Sequence, residues 1–297
     1  MADPKLFPLT DRLFLVQGAS EGRFPFSHSF LVLDEVSALI DTGTGPEVLT
    51  AVREKYRPQL IVNSHCHPDH CAGNHLFPKA VLHVPQEGWE TFGQKELLAP
   101  RLTEPGRLAR EWQEFVTETM FFSDRAPDRT FSQGQVLDLG RTKLRALHTP
   151  GHTEDHYSLF EERTGLLLCF DLDPTGLLLW YGHRESDLAR TRASLKRLQA
   201  LSPGILVSSH FPPERGVTPE MLSGWETVLD KREEKILGLL ARPADLEELT
   251  AASPIYGSYR IAPNLARYWE SQMILKHLDE LKEKGLIRDE GERWQRV

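Results

Sequence analysis

Short apolar runs alternate with amphipathic segments through the first two thirds of the chain. The apolar runs have the length of strands and are bounded by glycine or charged residues, and they predict strands at residues 12–16, 29–33, 37–40, 60–63, 81–84, 135–139, 143–148, 157–160, 166–170 and 205–208. Helical spacing of apolar residues predicts helices that begin near Pro46 and Ser186. This alternation favours an α/β fold, a sandwich of two sheets flanked by helices.

Two segments depart from the alternation. Residues 86–120 are rich in Glu, Leu, Trp and Arg, which predicts a helical insertion over the core at the border of a substrate cleft. The last part of the chain predicts two helices and a hairpin, at 222–240, 270–284 and 286–297. Helix, helix and hairpin in that order resemble a winged-helix module. We therefore expect a main domain at 1–218 and a helical, winged-helix-like module at 219–297.

The composition is that of a soluble globular protein. The 297 residues are 40% hydrophobic and 26% charged, and 35 basic against 43 acidic residues leave a net charge of -8. This balance suits an enzyme of small substrates and argues against a general polyanion binder. No apolar run reaches the ~18 residues of a membrane helix, and no signal-peptide pattern is visible. We expect a cytoplasmic protein without membrane association.

The residues directly after the predicted strand at 60–63 carry the strongest chemical signal. The run His65-Cys66-His67-Pro68-Asp69-His70 places three imidazoles and a carboxylate on one tight turn. Neutral imidazole and carboxylate are ligands that divalent zinc, iron and manganese accept. Cys66 lies between two of these residues, and alternation turns its side chain the other way. The turn therefore predicts a metal site.

Three single residues at later strand ends complete this cluster. His152, Asp171 and His210 each come within a few residues of the end of a predicted strand. Strand ends converge on one edge of a layered α/β fold, which is where the active sites of such folds lie. We therefore expect all three side chains beside the early turn.

This order of motifs resembles the metallo-β-lactamase-fold hydrolase superfamily, over roughly residues 10–215. The resemblance implies a four-layer αββα sandwich and a site for two divalent metal ions, with zinc as the first expectation and manganese or iron as alternatives. It also implies two sets of ligands joined by a bridging Asp171: His65, His67 and His152 for one ion, and Asp69, His70 and His210 for the other.

The sequence departs from the family pattern beside the bridging residue. Phe170 precedes Asp171 where the family often has glycine, and Asp173 is a rival for the bridging position. The complete Asp69-His70 pair resembles the thioesterase, lactonase and nuclease branches more than the antibiotic-hydrolysing lactamases.

Further residues are candidates for contact with a metal ligand or with substrate: Asp41, His156, Tyr181 and His183. Asp41 lies in the run Leu39-Ile40-Asp41-Thr42-Gly43, which looks like the family's turn behind the metals, although a turn-capping carboxylate explains it equally well. A hydrogen-bonded structural role is an equal alternative for His156 and His183.

The resemblance also implies a hydrolytic mechanism. Two divalent ions ~3.5–4 Å apart share one water and lower its pKa from ~15.7 towards ~7, and the resulting hydroxide attacks an electrophilic carbonyl or phosphorus. Asp69 binds one metal and orients the hydroxide, which makes it the expected catalytic residue. No serine or cysteine nucleophile is required.

Three activities compete for this motif. The first is metal-dependent hydrolysis of a small acyl substrate (a thioester, lactone or related ester), as in the hydroxyacylglutathione hydrolase branch that the chain resembles. The second is a metal-dependent endoribonuclease, but the helix at 270–284 has three basic against four acidic residues, whereas nucleic-acid binding requires a basic surface. The third is a mononuclear-iron persulfide dioxygenase with iron on His65, His152 and Asp171. We expect a small-molecule substrate rather than nucleic acid, and a homodimer through the apolar stripe of that helix.

Overall fold

The first seven strands form one mixed sheet. The computed structural model describes residues 3–173, 179–224, 227–258 and 261–297. The strands follow one another across the sheet in chain order: β1 (Leu6–Pro8), β2 (Leu13–Val16), β3 (Ser29–Val32), β4 (Ala38–Ile40), β5 (Leu60–Val62), β6 (Val81–Pro85) and β7 (Arg129–Phe131). β1 to β4 pair antiparallel, and β4 to β7 pair parallel. β4 and β5 are buried along their whole length, as parallel strands covered on both faces require.

Six later strands form a second sheet in the order β13-β12-β11-β10-β9-β8. Their bounds are β8 (Val136–Asp138), β9 (Lys143–His148), β10 (Tyr157–Glu161), β11 (Leu166–Phe170), β12 (Ile205–Ser208) and β13 (Glu214–Arg215). β11 and β12 are parallel and the other pairs are antiparallel.

Helices cover the outer faces of both sheets: α1 (Pro46–Tyr56), α2 (Pro68–Cys71), α3 (Lys95–Leu102), α4 (Arg107–Thr119) and α5 (Leu188–Gln199). α1, α3 and α4 share one apolar cluster with β3 to β6, and α5 shares another with β11 and β12. The cluster between the sheets includes Phe30, Val62, Leu159 and Phe170. The result is four layers, helix, sheet, sheet and helix, and the predicted αββα sandwich is confirmed.

The register of the parallel pairs brings the site loops together. Ile40 pairs with Val62 across β4 and β5, so the loops that follow these strands leave the first sheet side by side. Phe170 pairs with Ser208 across β11 and β12, so the loops after these strands also leave together. Both pairs of loops meet at one edge of the sandwich.

The described residues of the last part of the chain add four helices and three short strands: α6 (Pro219–Ser223), α7 (Thr227–Leu239), β14 (Ala244–Asp245), α8 (Leu246–Ala252), α9 (Pro263–Glu283), β15 (Ile287–Asp289) and β16 (Arg293–Arg296). The strands form a sheet in the order β14-β16-β15. Asp245 and Glu248 form a capping box at the start of α8. The predicted hairpin around 289–291 is present as β15 and β16. We call this segment, from α6 to the end of the chain, the tail.

α9 joins the tail to the core. It begins at Pro263, seven residues before the predicted start at 270, because proline suits the first position of a helix. Leu265 and Trp269 belong to the apolar cluster under α4, and Met273 belongs to the cluster under α5. The apolar stripe of this helix is therefore buried inside the chain, which removes the reason for expecting a homodimer.

The strands that the sequence did not predict in the two large sheets are β1, β7 and β13. All three lie at a sheet edge and have two or three residues. Such short edges carry no readable alternation, and their pairing depends on the neighbouring strand. The predicted insertion at 86–120 contains α3 and α4. Among the described residues, no helix is long and apolar enough to cross a bilayer.

Candidate metal centre

The early histidine turn is held by hydrogen bonds that its backbone carbonyls accept from neighbouring segments. The carbonyl oxygen of His70 accepts from the Thr42 N–H at 2.7 Å and from Asn63 Nδ2 at 3.0 Å. The carbonyl of Asp69 accepts from the Ser27 hydroxyl at 2.6 Å. A Cβ at Gly43 would lie 1.4 Å from that carbonyl oxygen, so only glycine fits there. The turn is thereby locked against the loop after β4.

The structure brings all seven predicted ligands together, in two sets with Asp171 in both. Their imidazole nitrogens and carboxylate oxygens lie within 4.8 Å of one another in each set: His65, His67, His152 and Asp171, then Asp69, His70, His210 and Asp171. Nitrogen and oxygen ligands bind zinc at ~2.0–2.2 Å, so ligand atoms of one ion lie within about 4 Å of each other. The spacing within the two sets therefore comes close to that of a metal site.

Asp171 stands between the sets with one oxygen towards each. Its Oδ2 lies 3.3 Å from His152 Nε2 and 4.0 Å from His65 Nε2. Its Oδ1 lies 3.0 Å from His70 Nε2 and 3.5 Å from His210 Nε2. Each oxygen of Asp171 is therefore placed to reach an ion held by a different set.

Each of four histidines has its Nδ1 occupied by a hydrogen bond. Nδ1 of His152 donates to the Trp180 carbonyl and Nδ1 of His210 to the Gly22 carbonyl, both at 2.7 Å. Nδ1 of His70 bonds Asp41 Oδ2 at 2.8 Å, and Nδ1 of His65 bonds the Ser64 hydroxyl at 2.9 Å. With Nδ1 protonated in this way, the lone pair of Nε2 is free to bind a metal.

His67 is turned the other way round. Its Nε2 lies 2.7 Å from His183 Nδ1, and its Nδ1 lies 2.8 Å from His152 Nε2. Nδ1 is therefore the atom that His67 presents to the first set. His183 touches a predicted ligand directly, as the sequence allowed.

Asp41 and Ser64 link the two sets from behind. Asp41 Oδ1 accepts from the Ser64 N–H and its Oδ2 accepts from the Ser64 hydroxyl, both at 2.8 Å, besides the bond to His70. Asp41 is fully buried and has φ 58, a conformation that Asp and Asn tolerate better than most residues. Asp41 thus contacts His70 of one set and, through Ser64, His65 of the other, besides lying in a turn. The sequence did not single out Ser64.

The charges of the centre follow from burial and from neighbouring groups. Burial and the nearby His70 hold the pKa of His65 well below its usual value, and burial with His152 does the same for His67. Burial works against a charged His70, but Asp171, Asp69 and Asp41 outweigh it and raise its pKa. Burial likewise opposes ionisation of Asp171, and His70 and His210 overcome it and lower its pKa. The pKa directions of His65, His67 and Asp171 favour the ligating forms, neutral imidazole and ionised carboxylate, whereas His70 has to give up a proton when it binds a metal.

Buried atoms without partners give an independent indication of a metal. His65 Nε2, His70 Nε2 and Asp171 Oδ1 are buried and make no hydrogen bond. Buried polar atoms are nearly always satisfied, and exceptions call for an ion or a water. These three atoms belong to the two sets, so the donor chemistry fits a pair of divalent ions.

The other candidates lie outside both sets. His156 is buried beside His65, with ring centroids 5.1 Å apart, and its Nδ1 bonds the Thr149 hydroxyl at 2.9 Å. Asp173, the predicted rival of Asp171, is in neither set. Cys66 faces a different cluster, with Asp155 and Glu185, as the alternation predicted.

Tyr181 is directed towards the tail. Its hydroxyl bonds His277 Nε2 on α9 at 2.7 Å and accepts from Arg232 Nη1 on α7 at 3.1 Å. Its neighbour Trp180 lines the cavity beside the metal centre instead. The expected contact of Tyr181 with substrate or a ligand is thus replaced by a contact with the tail, because the polar partners of its hydroxyl lie on α7 and α9.

A cavity of about 510 Å³ opens beside the two sets. Five of its lining residues are predicted ligands: His67, Asp69, His152, Asp171 and His210. The rest of the wall comes mainly from α4, from the tail and from the loop around Trp180. The sequence predicted that the insertion borders a cleft, but it did not identify the individual wall residues, which carry no motif.

Comparison with known families is consistent with this geometry. The model of the family described as the metallo-beta-lactamase superfamily matches residues 22–210, a range that includes all seven predicted ligands. The chain belongs to the metallo-beta-lactamase superfamily. It is accordingly a metallohydrolase enzyme with the fold of that superfamily.

Curated relatives are distant. The chain is 28% identical over 184 residues to the bovine acyl-coenzyme A thioesterase MBLAC2, a match that covers 53% of this chain and 62% of the relative. It is 33% identical over 138 residues to the hydroxyacylglutathione hydrolase of Hahella chejuensis, covering 46% and 48% of the two chains. An uncharacterized protein of Aquifex aeolicus is 26% identical over 207 residues, 65% of this chain and 92% of that one.

Two solved structures share the fold over nearly the whole chain. A metallo-beta-lactamase family protein from Thermus thermophilus has a TM-score of 0.70 at 22% identity, with 98% of this chain and 100% of that chain covered. A beta-lactamase domain protein from Burkholderia ambifaria has a TM-score of 0.73 at 18% identity, covering 100% and 96%. At this coverage both likenesses extend over the tail.

Proposed function

We propose that the chain hydrolyses a small acyl substrate, a thioester, lactone or related ester, with two divalent metal ions held by the two sets. The observation that carries the proposal is Asp171, whose two oxygens face different sets at 3.0 to 4.0 Å. The relatives named as a thioesterase and as a hydroxyacylglutathione hydrolase favour a thioester. Zinc is our first choice of metal, with manganese or iron accepted by the same ligands.

In the proposed mechanism the protein positions the reactants. When bound, the pair of metals supplies an activated water and polarises the carbonyl oxygen. Asp69 lines the cavity and orients the attacking water from beside His70 and His210. For a thioester, the water oxygen bonds to the carbonyl carbon, the carbon–sulfur bond breaks and one proton of the water passes to the leaving sulfur, which gives a carboxylic acid and a thiol. His183 keeps His67 in the orientation that presents Nδ1 to the first set.

The second set distinguishes this proposal from the mononuclear-iron alternative. One iron on His65, His152 and Asp171 would leave Asp69, His70 and His210 without a ligand function. Yet Nδ1 of His70 and of His210 are each held by an acceptor, which frees Nε2 in both. A dinuclear site accounts for both arrangements.

The tail gives no support to the endoribonuclease alternative. We propose that it is a winged-helix-like module (219–297) appended to a catalytic domain (1–218), because the elements from α7 to β16 follow one another as helix, strand, helix, helix and two strands. α9 is the helix that would have to reach nucleic acid, and its apolar side is buried, first against the core and then against the rest of the tail. In this proposal the tail therefore packs against the core and does not bind nucleic acid.

The decisive experiment combines metal analysis with substrate panels. Two metal ions per chain and hydrolysis of thioesters or lactones are the expected result. One iron per chain with persulfide-dependent oxygen uptake, or cleavage of RNA without thioester or lactone hydrolysis, would overturn the proposal. A His67→Ala variant, which removes one ligand of the first set, provides the inactive control.

A further inference from the structure

The cavity beside the metal centre is apolar away from the predicted ligands. Its wall is formed largely by aromatic and aliphatic side chains, with Trp112, Phe115 and Met120 from α4 and its end, and Ile261, Ala266 and Trp269 from the tail. No lysine or arginine occurs among the described residues of the lining. A volume of about 510 Å³ lies inside the ~300–1,000 Å³ range of pockets that enclose small molecules.

The tail is an integral part of this wall. Glu270 is fully buried on α9, and its carboxylate accepts from the N–H groups of Ile255 and Tyr256 at 2.9 and 3.0 Å. Tyr256 in turn accepts a hydrogen bond from the indole of Trp180, whose ring packs edge-on against Trp269 at 5.6 Å. These contacts fix the tail loop and the loop around Trp180 as one surface.

The mouth of the cavity is apolar as well. Phe24 is 37% exposed and stacks on Phe115 with ring centroids 6.1 Å apart, and Ile261 is 45% exposed on the tail side. Apolar side chains exposed at the rim of an apolar pocket indicate contact with an apolar ligand. A polyanionic ligand would instead need cations in the wall.

We propose that this cavity binds an unbranched or aromatic apolar acyl chain, with the acyl carbonyl beside the predicted metal ligands. The part of the cavity wall that the tail forms limits the length of this chain. The inference rests on the proposed function, because it assigns the acyl group of that substrate to the cavity. Ala266 is the residue that sets the limit, since a larger side chain there would fill part of the space between α9 and α4.

The test measures binding and turnover separately on the metal-loaded full chain. The binding probes are S-alkyl N-acetylcysteamine thioethers with alkyl chains from butyl to decyl, which contain no thioester bond. Calorimetry measures their affinity. Burying a methylene is worth ~0.8 kcal/mol, so we expect affinity to rise about fourfold for each added methylene until the cavity is full. Ala266→Leu should stop this rise at a shorter chain.

A matched variant controls for general disturbance. Ala109 on α4 and Ala266 are both 8% exposed and belong to the same apolar cluster, but only Ala266 lines the cavity. Ala109→Leu should leave the dependence on chain length unchanged. If Ala266→Leu fails to fold, Ile261→Asp at the exposed rim should weaken binding of the octyl probe more than tenfold, whereas Leu97→Asp, 47% exposed on α3 and outside the cavity, should not.

Turnover of the matching thioesters then separates the two proposals. Probe binding that rises with chain length while no acetyl to decanoyl thioester is hydrolysed would overturn the proposed thioesterase function and keep the apolar site. Hydrolysis with the same kcat/KM for acetyl and octanoyl thioesters, unaffected by Ala266→Leu, would overturn the inference and keep the function. The inference would also be overturned if Ala266→Leu weakened the binding of probes of every chain length equally and Ile261→Asp did not weaken binding.

Discussion

The proposed metal ligands and the cavity wall are positioned by different parts of the molecule. These residues stand on the segments that follow strands of two packed sheets. Hydrogen bonds from neighbouring segments hold the Nδ1 atoms of His70 and His210 and the carbonyl of His70. The cavity wall is assembled from α4, α9 and the loop around Trp180, through apolar contacts. The sheets thus set the positions of the proposed metal ligands, while the helices and the loop around Trp180 form the cavity beside them. Changes in the first region should affect metal binding, and changes in the second should affect substrate choice.

Removing the shared carboxylate should have the largest effect. Asp171→Asn replaces the carboxylate that we propose bridges the ions with a neutral amide that has one ligating oxygen, so one set loses this ligand and the other keeps only a neutral one. Removal of residues that merely orient ligands costs ~10–100-fold in affinity, and we expect a ligand variant to exceed a hundredfold loss of metal affinity and of kcat/KM. Metal titration monitored by calorimetry provides the measurement.

Asp173→Asn is the control for this prediction, because Asp173 is in neither set. It should retain two metal ions per chain. Equal metal loss in both variants would mean that Asp171 is not the bridging residue.

Asp41→Asn should have the next largest effect. The asparagine keeps the backbone conformation of φ 58 but removes the charge that orients His70 and accepts from Ser64. We expect metal affinity to fall ~10–100-fold, with the loss concentrated in the set that contains His70. Stepwise metal titration distinguishes the two ions.

A second carboxylate tests whether that loss is specific. Asp34 accepts from the Thr142 N–H at 2.8 Å, and it belongs to neither set of ligands. Asp34→Asn should lower thermal stability without changing metal affinity. A loss of metal affinity in Asp34→Asn as large as in Asp41→Asn would contradict an orienting role for Asp41.

The difference between the two regions also explains how much the sequence could predict. The ligands occur in local runs such as 65–70, and each lies near the end of a strand whose apolar run is readable. The wall residues are ordinary core residues by composition, and Trp112 and Trp269 meet only because α4 and α9 pack together. The position of Tyr181 depended on the same packing. Contacts between helices that are distant in sequence leave no local pattern.

Lys276→Met tests whether the tail supports the metal centre. The Lys276 ammonium on α9 donates to the His183 carbonyl at 2.9 Å, and His183 contacts His67. Because Lys276 lies one step further from the metals than Asp41, we expect a loss of metal affinity below ~tenfold. Burial lowers the pKa of Lys276 to about 8, so methionine should not reduce stability.

Lys282→Met on the same helix is the control, because it removes an exposed ion pair with Asp289 and should not affect metal binding. An equal loss of metal affinity in both variants would contradict the prediction.

The smallest effect concerns the joint between tail and core at His277. Burial, with Arg232, Arg192 and Lys284 nearby, lowers the pKa of His277 to about 3, whereas an unfolded histidine has a pKa of ~6.5. Between these values the unfolded chain binds a proton that the folded chain does not, so the free energy of unfolding falls as the pH drops below ~6.5. His277→Gln keeps an amide near Tyr181 without this proton, so its stability should depend less on pH. Urea unfolding near neutral pH and at about pH 5 measures the difference, with His75→Gln as control. Because the other buried histidines are unchanged, part of the dependence of the free energy of unfolding on pH should persist in His277→Gln. If this dependence were the same as in the unsubstituted chain, His277 would take up its proton without loss of the folded tail.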